Sequence, residues 1–523
     1  MYNPFTGNEI RRSFIKTFTC PPPGSRQEKE LFHDQQLKLS HQYVHAFPDV
    51  HATKTIVIVP SLTLEREMLK HLTGHVHYEE RLLCMLMLLR MPETRIVYVT
   101  SVPIDEVIID YYLSMLPGIT SYHARKRLTL LSCFDATSYA LTEKVLRRPR
   151  LIERIRQSIP DTSQAHLVCF NVTDFERTLA VELGIPLFGC DPDLNHWGTK
   201  TGSREIFREC NILFPDGYEN IGSRQETIQA LGRLKRKYPG LRKAVVKMND
   251  GFSGEGNSFF SYQGLEVNDT LEQMIGEQLE VRIKPVLADM SASAFLQKMY
   301  SMKGVVEEFI EGEYKNSPSV QCRINPDMTY DVLSTHDQVL DEETGQVFQG
   351  AFFPAISDYA VGLGQAGRLV SEALKGKGCI GRYSVDFLSV QRNGTWFNYA
   401  IEINLRKGGT THPYLMLQFL TDGSYNPEIG LYMTGGGQER HYFASDNLKS
   451  EAYRSLTPHD LIDIAMYHHL LYNATTQEGV MFHMLGALSH YGKLGCVCIA
   501  ETREKAFAFY QKVVEVLDVE SRV

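Results

Sequence analysis

Asp386 in VDFL, and Glu402 with Asn404 in IEIN, place oxygen-bearing side chains inside apolar, strand-like runs. Side chains alternate between the two faces of a strand, so Glu402 and Asn404 look the same way. A carboxylate among apolar flanks needs a charge partner or a metal. Magnesium takes hard oxygen donors, usually one or two carboxylates plus substrate phosphates, and Asp386, Glu402 and Asn404 supply such a set. The competing reading is a pair of edge strands with polar outward faces, which the apolar flanks weaken.

Two further segments carry nucleotide chemistry. AVVKMNDGFSGEGN ends an apolar strand on Lys247 and continues into a loop with Gly251, Gly254 and Gly256. Glycines let successive backbone N–H groups turn toward an anion, and the lysine adds a point charge. An ordinary surface turn explains the glycines equally well, and the loop lacks the GxxxxGK[ST] pattern of a P-loop. VVEEFIEGEY ends a strand with Glu307, Glu308 and Ile310, with Glu313 beyond a glycine. A backbone edge there can read a purine, while carboxylates accept from its amine or from ribose hydroxyls. Acidic strand ends are also common without any ligand.

The metal reading constrains strand register. Asn393-Gly394 between YSVDFLSVQR and TWFNYAIEIN signals a hairpin with a two-residue turn. Continued without interruption from Arg392 opposite Thr395, that register puts Asp386 opposite residue 401 and turns it away from Glu402. A shared ion therefore requires either a three-residue loop, Asn393-Gly394-Thr395, or a bulge between 386 and 402.

These residues need a scaffold, and the chain is long enough to build one. With 523 residues and 43% hydrophobic content it exceeds a single core, so two or three domains are expected. Lys and Arg total 54 against 62 Asp and Glu, a net charge of −8 that gives no basic footprint for nucleic acid. The apolar run LLCMLMLL at 82–89 is half a membrane span and reads as a buried helix. Arg11, Arg12 and Lys16 have no apolar stretch behind them, so neither a secretory signal nor a membrane partner is expected, and the expected location is cytoplasmic. Ten scattered cysteines, with Cys496 and Cys498 on one strand face, read as buried reduced thiols.

Residues 1–50 read as an N-terminal arm containing Pro21-Pro22-Pro23-Gly24. Over 51–190, short β-branched runs alternate with helical stretches, as a parallel α/β layer requires. Residues 191–430 have α+β character, with a charged helix at 226–237 and a longer one at about 359–375. Residues 431–523 read as a small α/β domain ending in an amphipathic helix at 503–518. GLGQAG at 362–367 matches a dinucleotide fingerprint, but FFPAISDYAV before it is no buried strand, so it reads as a helix start with close packing. His71, His75, His77 and Glu79 fit no zinc spacing and read as a polar turn. Phe507, Tyr510, Val514 and Leu517 recur at helical spacing and read as a core stripe.

Lys200 in GTKTGSREIF, Lys247 before the glycine loop, the E-E-F-I segment, Asp386 and Glu402-Ile403-Asn404 follow one another in an order that resembles the ATP-grasp superfamily. RKGGTTHPYLMLQFLTDG after the metal motif, with YEERLL, KRLTLL and RRPRLIERIR upstream, resembles the pheganomycin-type peptide ligases within it. The implied fold is α/β and α+β: a Rossmann-like pre-ATP-grasp domain, an ATP-grasp core and a small α/β C-terminal domain. The resemblance implies ATP and Mg2+ as cofactors. Lys200, Lys247, Gly251, Ser253, Gly254 and Gly256 would hold phosphates, and Glu307, Glu308 and the Ile310 backbone the adenine. Glu313 would hold ribose, and Asp386, Glu402 and Asn404 the magnesium. His336 and Gln338 in STHDQVL would lie near the γ-phosphate, with Arg382 and Arg406 as candidates for an acyl phosphate. Arg382 lies four residues before the metal aspartate, whereas the D-alanine ligase pattern places its arginine two before.

The implied activity is carboxylate–amine ligation through an acyl phosphate, with amino acids or peptides as substrates and a homodimer allowed. Because magnesium, lysines and an arginine neutralise charge on the transferring phosphoryl group, no protein nucleophile is needed. The glycine loop would close as a lid against water. Two alternatives remain open from sequence: an ATP-binding regulator without ligase turnover, and an ATP-grasp phosphotransferase.

Overall fold

A computed structural model of the chain describes residues 20–251, 256–287, 289–340 and 348–522. Four parallel strands form the first sheet, in the order Leu128–Ser132, Thr94–Thr100, Lys54–Val59, Ala165–Cys169. Lys54–Val59 is buried along its whole length, which is why it reads as a continuous β-branched run. The segment 82–89 lies in a buried 3-10 helix, His75–Arg90, against this sheet. The residues 1–50 expected as an arm are in part structural. Helix Arg26–His45 inserts Phe32 beside Val57 and Val59, and Gln36 pairs through its amide with both the N–H and the carbonyl of Leu187.

A five-stranded antiparallel sheet follows, in the order Gly217–Ile221, Gly304–Glu308, Lys243–Lys247, Asn257–Ser261, Ile283–Pro285. Helices Arg224–Lys237, Leu271–Arg282 and Ala292–Met302 close its core with Leu231, Ile275 and Phe295.

The third sheet has eight strands: Thr395–Asn404, Gly381–Arg392, Tyr314–Ile324, Tyr330–Leu340, Phe348–Phe353, His441–Lys449, Lys493–Ala500 and Gly479–His483. Its last three strands come from the segment expected to fold as a separate C-terminal domain. That segment extends the central sheet, and its Val480, Cys496 and Leu517 share a core with Ile56 and Tyr98 of the first layer. Cys496 and Cys498 are buried free thiols. The GLGQAG segment lies inside helix Ser357–Gly376, where a Cβ on Gly367 would meet Cys322 Sγ at 3.0 Å, so the glycine serves close helix–sheet packing. No helix among the described residues is long and apolar enough to cross a membrane.

Candidate active site

A cavity of about 1110 Å³ lies between the five-stranded and eight-stranded sheets. Asp386, Glu402, Asn404, Arg406, Lys200, Lys247, Gln338, Gly251, Gly256, Glu307, Glu308 and Ile310 all line it. Distant stretches of sequence thus meet in one place. Ser253 and Gly254 lie outside the described residues.

The register required for a shared ion is present. Asp386 pairs with Glu402, while Arg392 pairs with Thr395 across a two-residue turn with φ of 50° at Asn393 and 78° at Gly394. The ladder shifts between Asp386 and Phe387, because Phe387 pairs with Ala400 and leaves Ile401 as the extra residue. Of the two solutions the metal reading allowed, the chain uses the bulge. Ile401 and Glu402 accordingly both reach the cavity although they are consecutive.

Polar donors surround the two carboxylates. Asn404 Nδ2 donates to Asp386 Oδ2 at 2.8 Å and to Glu402 Oε1 at 3.1 Å, and Gln338 Nε2 donates to Asp386 Oδ1 at 3.0 Å. Arg406 Nη2 donates to Asn404 Oδ1 at 3.0 Å, and the Lys200 ammonium contacts Glu402. Burial, then the neighbouring Glu402 charge, raises the Asp386 carboxyl above its ordinary range. Burial also opposes ionisation of Glu402, but Lys200, Lys247 and Arg406 outweigh it and hold that carboxyl low. The pair therefore carries one secure negative charge and a second that calls for a cation. Two carboxylates with a carboxamide between them fit a magnesium ion by donor chemistry.

Local structure fixes the lysines. Thr199 caps helix Lys200–Glu209 by accepting from Gly202 N–H at 3.0 Å. Asn249, just past Lys247, accepts from Thr201 N–H at 2.9 Å through its side chain and from Lys200 N–H at 2.9 Å through its carbonyl. Lys247 contacts Glu307 across paired strands, and Arg204 Nη1 donates to the other oxygen of Glu307 at 3.0 Å. Lys247, Glu307 and Arg204 are all at most 4% exposed. Glu307 is thus the anchor of a buried ion triad rather than a group free for adenine.

Beyond the triad, Val245, Phe259, Phe309, Ile310, Leu388 and Ile401 line an apolar slot suited to a flat ring. Glu308 stands at its edge, accepting from Asp216 N–H at 3.0 Å, with its carboxyl pushed up by burial. Lys315 Nζ donates to the Ile310 carbonyl at 2.8 Å.

Three expected site residues are elsewhere. Glu313 is exposed and lines no part of the cavity. His336 is fully buried in an aromatic row, 2.7 Å from Tyr442 Oη and 5.3 Å centroid to centroid from Phe353. It shares a sheet face with Gln338 but lies two residues further along, beyond the cavity wall. Arg382, opposite Arg323, also stops short of the cavity; its Nη1 has no hydrogen-bond partner, and burial pulls its pKa down to about 10. Of the two arginines, Arg406 alone lines the cavity. Of the slot residues only Ile310 was singled out from sequence, and Asn249 was not, because apolar strand residues and a loop asparagine carry no signal that separates them from core and turn.

Residues 192–292 match a family model described as IQCH-like, ATP-grasp, and residues 460–513 match the PGM1 C-terminal domain. The chain is 29% identical over 461 residues to an L-propargylglycine–L-glutamate ligase of Streptantibioticus cattleyicolor, covering 86% of this chain and 92% of that one. It is 22% identical over 445 residues to IQ motif-containing protein H of Danio rerio, covering 76% of this chain and 42% of that protein. Among solved structures, it resembles the biotin carboxylase domain of Hydrogenobacter thermophilus 2-oxoglutarate carboxylase, a complex with MgADP, ADP and bicarbonate. The TM-score is 0.53 at 12% identity, with 88% of this chain and 89% of that one covered.

Proposed function

We propose that the chain is an ATP-grasp carboxylate–amine ligase, similar to the pheganomycin-type ligases, that joins the carboxylate of one amino acid or peptide to the amine of another. The observation that carries the reading is the meeting of Asp386, Glu402, Asn404, Lys200 and Lys247 in one cavity beside an apolar slot. The ligase relative's name specifies two amino acids, which supports the same substrate class here.

In this reading the adenine lies in the slot near Glu308 and the Ile310 backbone, and Lys200 and Lys247 hold phosphate oxygens. Glu307 aims Lys247 through their ion pair and acts on the nucleotide only through that lysine. Asp386, Glu402 and the Asn404 carboxamide oxygen would hold Mg2+. When bound, Mg2+ neutralises phosphate charge and polarises the phosphoryl group. The substrate carboxylate oxygen forms a bond to the terminal phosphorus, the bond to the ADP oxygen breaks, and an acyl phosphate results. Arg406 lies on the cavity wall beside Asn404, where a guanidinium can hold that phosphate. The amine nitrogen then bonds to the acyl carbon and gives up a proton, the carbon–oxygen bond to phosphate breaks, and the amide is formed. We propose residues 51–190 and 431–523 as flanking units of an ATP-grasp core at 191–430, with the C-terminal unit built onto the core's sheet.

The test is ATP-dependent phosphate release across pairs of amino acids, with mass spectrometry of condensed product. Release should require both partners, and oxygen from a labelled carboxylate should appear in the phosphate. Formation of AMP and pyrophosphate, or release indifferent to the amine, would overturn the reading.

A further inference from the structure

We propose a second metal site, one for a divalent transition ion of the zinc class, formed by His412, Asp446 and His483 and separate from the Asp386–Glu402 site. The three residues come from three elements: helix Thr411–Thr421, strand His441–Lys449 and strand Gly479–His483. All are buried, and their donor atoms converge. His483 Nε2 lies 2.6 Å from Asp446 Oδ1, His412 Nε2 lies 3.0 Å from His483 Nε2, and His412 Nε2 lies 3.3 Å from Asp446 Oδ1.

Protons satisfy this triangle only with crowding. One N–H shared from His483 serves Asp446 and His412 but leaves the His412 lone pair facing the carboxylate oxygen. One N–H on His412 leaves the His483 lone pair against Asp446 at the shortest of the three contacts. Protons on both imidazoles crowd two N–H groups 3.0 Å apart onto one oxygen. A single cation among the three atoms is attracted by all of them. Tetrahedral zinc with bonds of about 2.0–2.1 Å sets its ligand atoms roughly 3.3 Å apart, a spacing the His412–Asp446 edge already has, while the His412–His483 edge opens by about 0.3 Å and the His483–Asp446 edge by about 0.7 Å.

The surroundings suit a metal. His412 is 2% exposed and its Nδ1 has no hydrogen-bond partner, so its polar contacts to side chains are those of Nε2 with His483 and Asp446. Gly495 faces His483 across the strands, and a Cβ there would lie 2.0 Å from His483 Nε2, so the absent side chain is the space the imidazole occupies. Arg81 Nη2 holds the far oxygen of Asp446 at 2.9 Å, the outer contact that commonly orients a ligating carboxylate.

Two imidazoles favour a zinc-class ion over magnesium, and three protein ligands leave a further position open. Asp446 and Arg81 line the large cavity, so that position is within reach of its contents.

The full chain carrying Glu402→Gln, which disables the carboxylate site, is stripped with chelator and titrated with Co2+ and then Zn2+. One equivalent of Co2+ should bind with the intense visible d–d absorption of a low-coordinate nitrogen site, and Zn2+ should displace it. Zn2+ should also raise the melting temperature. Adding His483→Ala or His412→Gln should weaken binding by at least about tenfold and remove the thermal shift. Absence of one-equivalent binding before either histidine is changed overturns the proposal, whatever the stability of the variants. Binding unchanged in folded histidine variants does so as well.

Discussion

Lys247 and Glu307 form an ion pair in the cavity wall, with Arg204 on the carboxylate's second oxygen. Both members of the pair are nearly excluded from solvent. Removing the carboxylate leaves Lys247 a buried charge without this counterion, whereas Arg204 keeps Glu219. Breaking such a pair costs about 3–5 kcal/mol. Glu307→Ala should therefore lower unfolding free energy by that order in denaturant titration, a loss larger than a hydrogen bond to adenine could explain. A change below about 1 kcal/mol would show the triad to be energetically idle.

Lys200 contacts Glu402 and lies on the cavity wall. If it also holds phosphate oxygen, Lys200→Ala removes a charge-assisted bond of about 1.5–3 kcal/mol, roughly ten- to hundredfold in ATP affinity or turnover. Calorimetric titration with a non-hydrolysable nucleotide measures this directly, with circular dichroism as the control for folding. Unchanged affinity would remove Lys200 from the nucleotide site.

His336 carries a pH prediction of defined sign. Burial pulls its pKa down to about 3 from an ordinary 6.5. Between those values the unfolded chain takes up a proton at this residue and the folded chain does not. The stability linked to His336 is thus complete above pH 6.5 and is lost as pH falls toward 3, by up to about 1.4 kcal/mol per pH unit. His336→Gln, which can still bond Tyr442, should be flatter against pH in that window while keeping wild-type nucleotide affinity. Parallel profiles would refute the burial account, and a large affinity loss would return His336 to the phosphate site.

Which of these residues sequence could reveal follows from their physics. Asp386, Glu402 and Asn404 were legible because oxygen donors in apolar strands violate the strand pattern, and Lys247 because a lysine ends an apolar run before glycines. His336 and Arg382 also sit on strands, but strand parity fixes a face and not where along that face a cavity ends. Glu307 has the composition of a ligand group, and only the folded contact with Arg204 commits it to a triad. His412, Asp446 and His483 leave no local signature, since no two share an element. The joining of the last three strands to the central sheet was hidden for the same reason: a strand's run of residues does not name its neighbour.

The bulge at Ile401 yields a prediction opposite to the usual expectation for deleting a strand residue. Thr395 to Ala400 pair with Arg392 to Phe387, and Glu402, Ile403 and Asn404 pair with Asp386, Val385 and Ser384. Ile401 is the one residue in between without a partner, so removing it lets the ladder close with every remaining pair intact. Asp386 and Glu402 stay opposite each other on one face. The loss is one apolar side chain from the slot wall, where Ile401 reaches the cavity. Deletion of Ile401 should therefore leave Mg2+-dependent nucleotide binding within about tenfold of wild type, the scale of one partly buried apolar side chain. Glu402→Gln, which keeps the register and removes the charge, should nearly abolish the magnesium dependence. Isothermal titration of nucleotide with and without Mg2+ on both variants decides the matter. If folded deletion protein loses its magnesium dependence as completely as Glu402→Gln, the bulge is needed for more than register, and the pairing alone does not build the site.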